Sequence, residues 1–255
     1  MAGRGPLATK LSLFVPLSDE DVRVLDGMCL NKERFKADTD IVREGDVPRS
    51  AFVLTHGMAF RYRLMPDGKR QIFTFMIPGD VFGLDVCLLR AIDHSIATLV
   101  PTRIATIPCA TVLDLFQHHP RIGAALWWSA CQLIAMLRER IVALGRRSAR
   151  GRVAYLLCEL VCRQKAVGLA EDHAIRLPLT QAELADALGL TPVHVNRILQ
   201  GFRRDNLITL AHYRLTLLEF ERLQQIAAFN QDYLHLGGAP AEVRSYINTL
   251  EHEPH

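Results

Sequence analysis

The sequence predicts an α+β fold: an antiparallel β-roll or jelly roll, then a long helix, then a small domain ending in a two-stranded hairpin. Three observations predict it. Short strand-like segments alternate with turn residues over about residues 35–110, a helical apolar repeat runs over residues 120–145, and a helix breaks and restarts at Gly189. Short strands separated by regular turns are typical of rolls and barrels, and apolar residues spaced by three and four indicate helices.

The composition is that of an ordinary globular protein. The chain has 255 residues, 49% hydrophobic and 22% charged, with a formal net charge of +3. This mild positive charge permits an anionic partner without requiring one. The N-terminus lacks the long apolar core of a signal peptide. The longest uncharged run, residues 122–137, is shorter than the roughly 20 residues of a membrane span. We therefore expect a cytoplasmic protein with no membrane partner.

The roll is predicted over residues 15–119. Its strand-like segments are IVREGD, AFVLTHGMAFRYRL, QIFTFMIPGDVFG and SIATLVPTRIATI, all rich in Val, Ile, Phe and Thr. Turns of the type Glu-Gly-Asp, Pro-Asp-Gly and Pro-Gly-Asp separate them, and Gly68 is expected to supply the positive φ of a hairpin tip. A short helix precedes the roll, with Ser18 as its N-cap and acidic residues in its first turn.

A long helix is predicted over residues 120–146. Apolar residues at alternating steps of three and four form a heptad seam: Trp127, Ala130, Ile134, Leu137, Ile141 and Leu144. A second apolar stripe lies beside it: Ile122, Leu126, Leu133 and Met136. A helix that is apolar on two sides must be covered on two sides. We expect the roll to cover one stripe and the same helix of a second subunit to cover the heptad seam. The alternative is a helix buried within one domain.

The helix break near Gly189 predicts a helix-turn-helix within a domain over residues 147–225. Ser148 is placed to cap a first helix, and Thr180-x-x-Glu183 is a capping box that opens the next one. Gly189 suits the left-handed residue that ends a helix, and Thr191-Pro192 suits the start of another. Two helices joined by a short turn containing glycine are typical of DNA-binding domains. The segment LITLAHYRLTLL predicts a two-stranded wing, and residues 226–255 are left as a C-terminal tail.

The second helix of this pair is predicted to enter the major groove of double-stranded DNA. Arg197 and Asn196 carry the donors that guanine and adenine edges require, and Arg203 and Arg204 are expected to contact phosphates. The full set of predicted DNA contacts is Thr180, Gln181, Thr191, Val193, His194, Asn196, Arg197, Arg203 and Arg204.

This order of elements resembles the Crp/Fnr family of bacterial transcription regulators. The resemblance covers about residues 15–220 and rests on EGD, VLTHG, DGKRQI and PGDVFG in the first half, and on GRVAYLL and LTQAELADALGLTPVHVNRIL in the second. It implies a homodimer that binds a palindromic operator through a winged helix-turn-helix. It also implies a roll similar to cyclic-nucleotide-binding domains, and RNA polymerase as a partner. Val193 stands where well-known members carry a Glu that reads cytosine, and valine cannot accept a hydrogen bond.

The same resemblance places an effector pocket at Gly83, Leu84, His94, Ser95, Leu137 and Arg138. Members that bind cyclic AMP carry a Glu for the ribose at the position of Leu84 and an Arg for the phosphate at the position of His94, and only Ser95 is kept. Leucine cannot accept the ribose hydroxyl, and histidine lacks the bidentate guanidinium fork. Leu137 and Arg138 replace the small hydroxyl residues expected at the adenine. We therefore expect an effector other than cyclic AMP.

Other cofactors and an enzymatic role are not expected. The oxygen-sensing branch of the family needs an N-terminal cysteine cluster, and only Cys29 lies there, so no iron-sulfur cluster is expected. No spacing singles out a haem ligand among His56, His94, His118 and His119. The strands also offer no metal-ligand spacing among Asp80, Asp85, Asp93 and His94. The alternative functions are a cyclic-nucleotide-responsive module that regulates an enzyme, and a redox- or haem-responsive member of the same family.

The cysteines are scattered along the chain: Cys29, Cys87, Cys109, Cys131, Cys158 and Cys162. They include no C-x-x-C pair, so a disulfide framework is not expected. Cys158 and Cys162 fall on one face of a predicted helix. They are either small core residues or a redox or metal-binding pair.

Overall fold

The structure is a computed structural model that describes residues 3–89 and 91–249. Two helices open the chain, α1 (Pro6–Leu11) and α2 (Asp19–Met28). Ser18 caps α2 as predicted. Its hydroxyl accepts a hydrogen bond from the Asp21 amide, and the Asp21 carboxylate accepts one from the Ser18 amide. The N-terminal segment contributes to the core, since Leu7 and Leu11 of α1 are buried and Lys10 pairs with the buried Asp80.

Strands form the roll, as predicted. They are β1 (Lys32–Phe35), β2 (Asp40–Val42), β3 (Ser50–His56), β4 (Ala59–Leu64), β5 (Arg70–Met76), β6 (Val81–Phe82), β7 (Ser95–Thr98) and β8 (Thr102–Pro108). Their two sheets have the orders β1-β8-β3-β6 and β2-β7-β4-β5. The pairing of β8 with β1 and β3 is antiparallel. A 3-10 helix, Asp85–Cys87, follows β6.

The rest of the chain is mainly helical. Its elements are α3 (Cys109–His118), α4 (Pro120–Arg146), α5 (Ala149–Ala166), β9 (Ala174–Arg176), α6 (Gln181–Leu188), α7 (Pro192–Arg204), β10 (Ile208–Ala211), β11 (Arg214–Leu217), α8 (Phe220–Ala227) and α9 (Ala241–Thr249). Strands β10, β11 and β9 form a sheet in that order. The segment predicted only as a tail therefore contains helix, including a 3-10 turn at Gln231–Leu234.

The chain packs as two compact units, neither of them contiguous in sequence. Among the described residues, the first takes in 3–60, 76–89, 91–134 and 235–249, and the second takes in Arg61–Phe75 and Ala135–Leu234. The C-terminal segment joins the first unit because the amide of Ala239 donates to the carbonyl of Phe14 at 2.7 Å and Ile247 is buried in that core. The domain boundaries expected from sequence were contiguous, since spacing along the chain does not show such long-range contacts.

The second unit is built around α5. This helix is nearly all buried, from Val153 to Gln164. Tyr155 stacks on Tyr233 with ring centroids 5.8 Å apart, and the Tyr233 hydroxyl donates to Glu159. Arg163 donates to the carbonyl of Phe75 at the end of the β4–β5 hairpin. These contacts hold the hairpin and the segment after α8 against the helix that supports the helix-turn-helix.

Cys87 and Cys109 form a disulfide, with their Cα atoms 5.2 Å apart. The sequence predicted no disulfide framework, and this single pair is a departure from that prediction. The two residues are 22 positions apart in sequence, and the fold brings the 3-10 helix after β6 against the first turn of α3. Neither spacing nor composition reveals that approach.

Candidate nucleic-acid interface

Helices α6 and α7 form a helix-turn-helix. The capping box and the terminal glycine of α6 have the geometry that the sequence predicts. The Thr180 hydroxyl accepts the amide of Glu183 at 3.2 Å, and the Glu183 carboxylate accepts the amide of Thr180 at 2.6 Å. Gly189 ends α6 in the left-handed region, at φ 62° and ψ 42°. Only glycine adopts this conformation at little cost, so the chain turns sharply here.

Helix α7 restarts directly after the turn. The Thr191 hydroxyl accepts the amide of His194 at 3.2 Å, and Pro192 occupies the first helical position, where no amide donor is needed. Val195, Ile198 and Leu199 are buried as predicted. Because these residues anchor one face of α7, the opposite face is turned to solvent.

Side chains on that opposite face lie along one line. Val193 is 68% exposed, and Arg197, Gln200 and Arg204 are also exposed. Their spacing of four, three and four residues places them on a single helical face. Sequence reasoning left Gln200 out of the DNA contacts, although its position three residues after Arg197 was the available signal. We call this set, Val193, Arg197, Gln200 and Arg204, the reading line.

Asn196 differs from its predicted placement. It was expected among the exposed N-terminal positions of the helix, but it is half-buried. The reason is geometric, because each residue of an α-helix is rotated by about 100° from the last. Asn196 therefore lies at the edge of the reading line, on the same edge as the half-buried Arg203. Thr191 and His194 are exposed beside the line.

The predicted wing is formed by β10 and β11. They pair antiparallel, with Ala211 opposite Arg214, and a two-residue turn joins them. Both turn residues have positive φ, 49° at His212 and 59° at Tyr213, which matches the right-handed twist of a tight hairpin. A cleft of about 390 Å³ brings the wing tip together with Thr180, Gln181 and Arg203.

The start of α7 borders a second cleft. This space of about 720 Å³ is lined by Thr191 and His194 on one side and by the β4–β5 hairpin tip on the other. The predicted tip is present, with Gly68 at φ 81°. The hairpin is fixed beside α6, since Arg70 pairs with Asp186 at 2.9 Å.

The C-terminal end of α7 carries mixed charge. Arg150 donates to Asp205 at 2.7 Å, and this hydrogen bond holds the pKa of Asp205 below its usual value. The Arg150 guanidinium also lies over the Phe202 ring, 4.6 Å from its centroid. The Arg204 guanidinium lies 3.8 Å from the same Asp205 carboxylate, and 83% of its side chain is exposed at this end of the reading line.

Helix α4 shows an uncovered apolar face in the single chain. Trp127, Ile134 and Ile141 of the heptad seam are 69%, 51% and 71% exposed. The second stripe lies on the covered side, with Ile122, Leu126 and Met136 buried.

The uncovered face is centred slightly to one side of the heptad seam. Ala130, Leu137 and Leu144 are half-buried, whereas Cys131 and Arg138 are exposed. We call the exposed set of α4, Trp127, Cys131, Ile134, Arg138 and Ile141, the exposed stripe.

The expected effector positions of the roll are occupied by packing contacts. A Cβ at Gly83 would lie 3.2 Å from the Ser50 carbonyl oxygen, and Leu84 packs against the apolar core of the first unit. The Ser95 hydroxyl accepts the amide of Glu44 at 3.0 Å, and Nδ1 of His94 lies 2.7 Å from the carboxylate of Asp93. In the second unit, Leu137 is half-buried and Arg138 is exposed.

Cys158 and Cys162 are small core residues of α5. Both are buried. Burial raises the pKa of the Cys158 thiol well above its ordinary value and raises that of Cys162 to about 11. Protonated buried thiols are inert toward oxidants and metals. Within the described ranges, no group of three or more potential metal-ligating side chains is assembled, and no helix there is long and apolar enough to cross a bilayer.

Fold and interface together define a class, namely DNA-binding regulators that join a nucleotide-binding type of roll to a winged helix-turn-helix. Residues 32–119 match the cyclic nucleotide-binding domain, and residues 151–226 match the Crp-like helix-turn-helix domain. The chain belongs to the Crp/Fnr family of bacterial transcription regulators.

Relatives of the same family match most of the chain. The nitrogen fixation regulation protein FixK of Bradyrhizobium diazoefficiens is 29% identical over 195 residues, covering 76% of this chain and 81% of its own. The regulatory protein HlyX of Actinobacillus pleuropneumoniae is 26% identical and covers 84% and 89%.

Among solved structures, FixK2 of Bradyrhizobium japonicum has a TM-score of 0.71 at 24% identity, covering 78% of this chain and 98% of its own. A mutant of CooA from Carboxydothermus hydrogenoformans has a TM-score of 0.64 at 19% identity, covering 80% and 94%. These likenesses show the fold.

Proposed function

We propose that this chain is a sequence-specific regulator that acts as a homodimer on a palindromic operator. The reading line of α7 carries the proposal. Val193, Arg197 and Gln200 present an apolar contact, a guanidinium fork and an amide on one exposed helical face, which are the groups that read base edges in the major groove. The capped turn at Gly189 lets α7 project from the domain. Its site of action is then the cytoplasm, where bacterial DNA is found.

Groups suited to contact phosphates lie where a duplex backbone would pass when α7 occupies the major groove. Thr180 and Gln181 lie at the N-terminus of α6, where the helix dipole favours an anion. The wing tip borders the same cleft. A duplex that receives α7 in its groove would run its backbone past these groups, which position the protein without reading sequence.

The exposed stripe of α4 supports the homodimer. Large apolar side chains such as Trp127 and Ile141 are rarely gathered on the surface of a monomer unless they meet a partner. A second copy of α4 presents the same stripe, so a parallel pair of helices would bury both stripes about a two-fold axis. Two reading lines would then face one side of the duplex.

The effector is proposed to differ from cyclic AMP. The Leu84 side chain packs in the core instead of accepting a ribose hydroxyl, and His94 lies against Asp93, which opposes an approaching phosphate. RNA polymerase is proposed as a further partner, because this is a family of transcription regulators. We propose that regulation proceeds through these contacts and not through catalysis.

Selection from a random duplex library tests the proposal. A bound consensus should be palindromic, and its affinity should exceed that for unrelated duplex by on the order of 10³-fold or more at fixed salt. The comparison variant is Arg197→Ala with Gln200→Ala, which changes only exposed side chains of α7 and should fold but lose that preference. Equal affinity for every duplex would contradict the proposal, and so would a selected site without two-fold symmetry.

A further inference from the structure

The disulfide joins two functionally placed segments of the first unit. Cys87 ends the 3-10 helix that follows Gly83 and Leu84, and Cys109 is the first residue of α3. Both cysteines are half-buried, so neither is enclosed in the core of the first unit. The Cys109 amide donates to the carbonyl of Arg49 at 3.0 Å, which fixes the start of α3 to the strand region of the roll.

A stable disulfide is unusual in the compartment that the proposed function requires. Cytosolic thiols are held reduced by glutathione and thioredoxin, and the disulfides that do form there are usually transient and redox-sensing. The inference therefore rests on the proposed function, which places the chain with DNA. The other described cysteines differ in setting, because Cys29, Cys158 and Cys162 are buried and Cys131 is exposed without a disulfide.

We propose that Cys87 and Cys109 form a reversible redox site that controls operator affinity, with a small-molecule disulfide as oxidant. At the N-terminus of the ten-residue α3, the helix dipole favours a thiolate at Cys109 once the pair is reduced.

That thiolate attacks one sulfur of glutathione disulfide and expels a glutathione thiolate. The Cys87 thiolate then attacks the Cys109 sulfur of the mixed disulfide and expels the second glutathione. Two protein thiols become one disulfide, and one glutathione disulfide becomes two glutathiones.

The disulfide is linked through packed elements to α4, the helix proposed to form the dimer that binds DNA. It ties the segment after Gly83, an expected effector position, to α3. Helix α3 in turn packs against α4, since a Cβ at Gly123 would lie 3.0 Å from the Phe116 ring. Opening the bond releases the 3-10 segment, and any shift of α3 passes to α4, which carries the exposed stripe. Coupling between two sites requires a packed element with two distinct arrangements. Helix α3 is that element here, with one arrangement for the oxidised pair and one for the reduced pair.

Thiol counting tests the chemistry independently of DNA. The full-length protein is equilibrated in glutathione buffers of graded ratio, quenched with acid, denatured and alkylated. We expect six reactive thiols in the reduced protein and four in the oxidised one, with Cys87 and Cys109 joined in the peptide map. A protein that keeps six thiols under oxidised glutathione overturns the proposal. One that keeps four under excess reduced glutathione carries a structural disulfide and overturns it equally.

Titration of a selected operator in the same buffers tests the control. Operator affinity should change by at least about fivefold between the two states, a typical allosteric coupling. Cys87→Ser and Cys109→Ser should each abolish the change, whereas Cys162→Ser, which lies in the core of α5 outside both the pair and the exposed stripe, should retain it. Equal affinity in the two states overturns the redox proposal but leaves the proposed function intact. Failure of both states to bind any operator contradicts the proposed function, and the thiol count still decides whether the site is reversible.

Discussion

Arg197 lies one turn into α7, between Val193 and Gln200 on the reading line. Its guanidinium is suited to a bidentate contact with guanine in each half-site. Arg197→Ala should cost about 1–3 kcal/mol per half-site and relax the preference at that base pair. Titrations of the operator and its single-base variants at constant salt measure both effects. An equal loss of affinity for every variant would mean that Arg197 contacts the backbone.

Arg204 provides the contrast to Arg197. It is exposed near the end of α7, where a phosphate contact is expected, and the same expectation applies to the half-buried Arg203. Arg204→Ala should weaken all duplexes alike and lower the slope of log affinity against log salt by roughly one unit. The measurement is a salt series on operator and unrelated duplex. A selective loss at one base pair would assign Arg204 to base reading.

The free cysteines should differ in reactivity. Cys131 is exposed, whereas Cys158 and Cys162 are buried, and burial raises the pKa of Cys162 to about 11. Only the thiolate reacts, so alkylation at pH 7 of reduced protein kept monomeric by Ile134→Glu and Ile141→Glu should label Cys131 well before either residue of α5. Peptide mass mapping over time follows the three sites. Fast labelling of Cys158 would contradict its place in the core.

Residues whose roles depend on near neighbours were predictable from the sequence. Thr180, Gly189 and Thr191 act as caps within three residues of their partners, so local pattern was sufficient. Asn196 was misplaced because its exposure depends on which face of α7 the domain buries. The Cys87–Cys109 disulfide depends on two distant segments meeting in the fold, which no local pattern shows.

At the scale of elements, α4 shows what periodicity reveals and what it does not. The steps of three and four identified the helix and its two apolar sides. They did not fix the centre of the exposed stripe, where Cys131 and Arg138 are more exposed than Ala130 and Leu137. A helix of 3.6 residues per turn drifts against a repeat of 3.5, so the heptad pattern alone does not decide which edge of the helix stays open.

The exposed stripe gives a direct test of assembly. Ile134→Glu with Ile141→Glu would place like charges opposite each other in an apolar pairing. We expect sedimentation to show monomers and operator binding to be lost. Leu30→Glu is the matched control, since Leu30 is an exposed leucine, 76% accessible, outside the stripe. A double variant that dimerises with unchanged affinity would show that the stripe does not form the interface.

At the scale of the whole molecule, the fold class followed from the order of strand, long-helix and helix-turn-helix patterns. The division into compact units did not. The β4–β5 hairpin packs with the unit that contains the helix-turn-helix, and Ala239 and Ile247 pack with the N-terminal helices. Both arrangements depend on contacts between residues far apart in sequence.

The affinity of the assembled dimer for cyclic AMP is expected to be low. Leu84 and His94 replace the Glu that binds the ribose and the Arg that binds the phosphate in members that bind cyclic AMP. Each replacement removes charge-assisted hydrogen bonds worth about 1.5–3 kcal/mol. Cyclic AMP should therefore bind roughly two to four decades more weakly than to a roll that keeps both groups. Calorimetry on the dimer measures this affinity. Micromolar or tighter binding that also raises operator affinity would contradict the expectation.

The central claim is that two chains read one palindromic site, and the mass of the protein–operator complex tests it most directly. A duplex with two half-sites centred about 34–36 Å apart should bind two chains together. A duplex with one half-site, or with the spacing changed by half a helical turn, should bind on the order of 10²-fold more weakly, because the second contact is then lost. The claim would be contradicted by a complex of one chain per duplex whose affinity ignores half-site number and spacing.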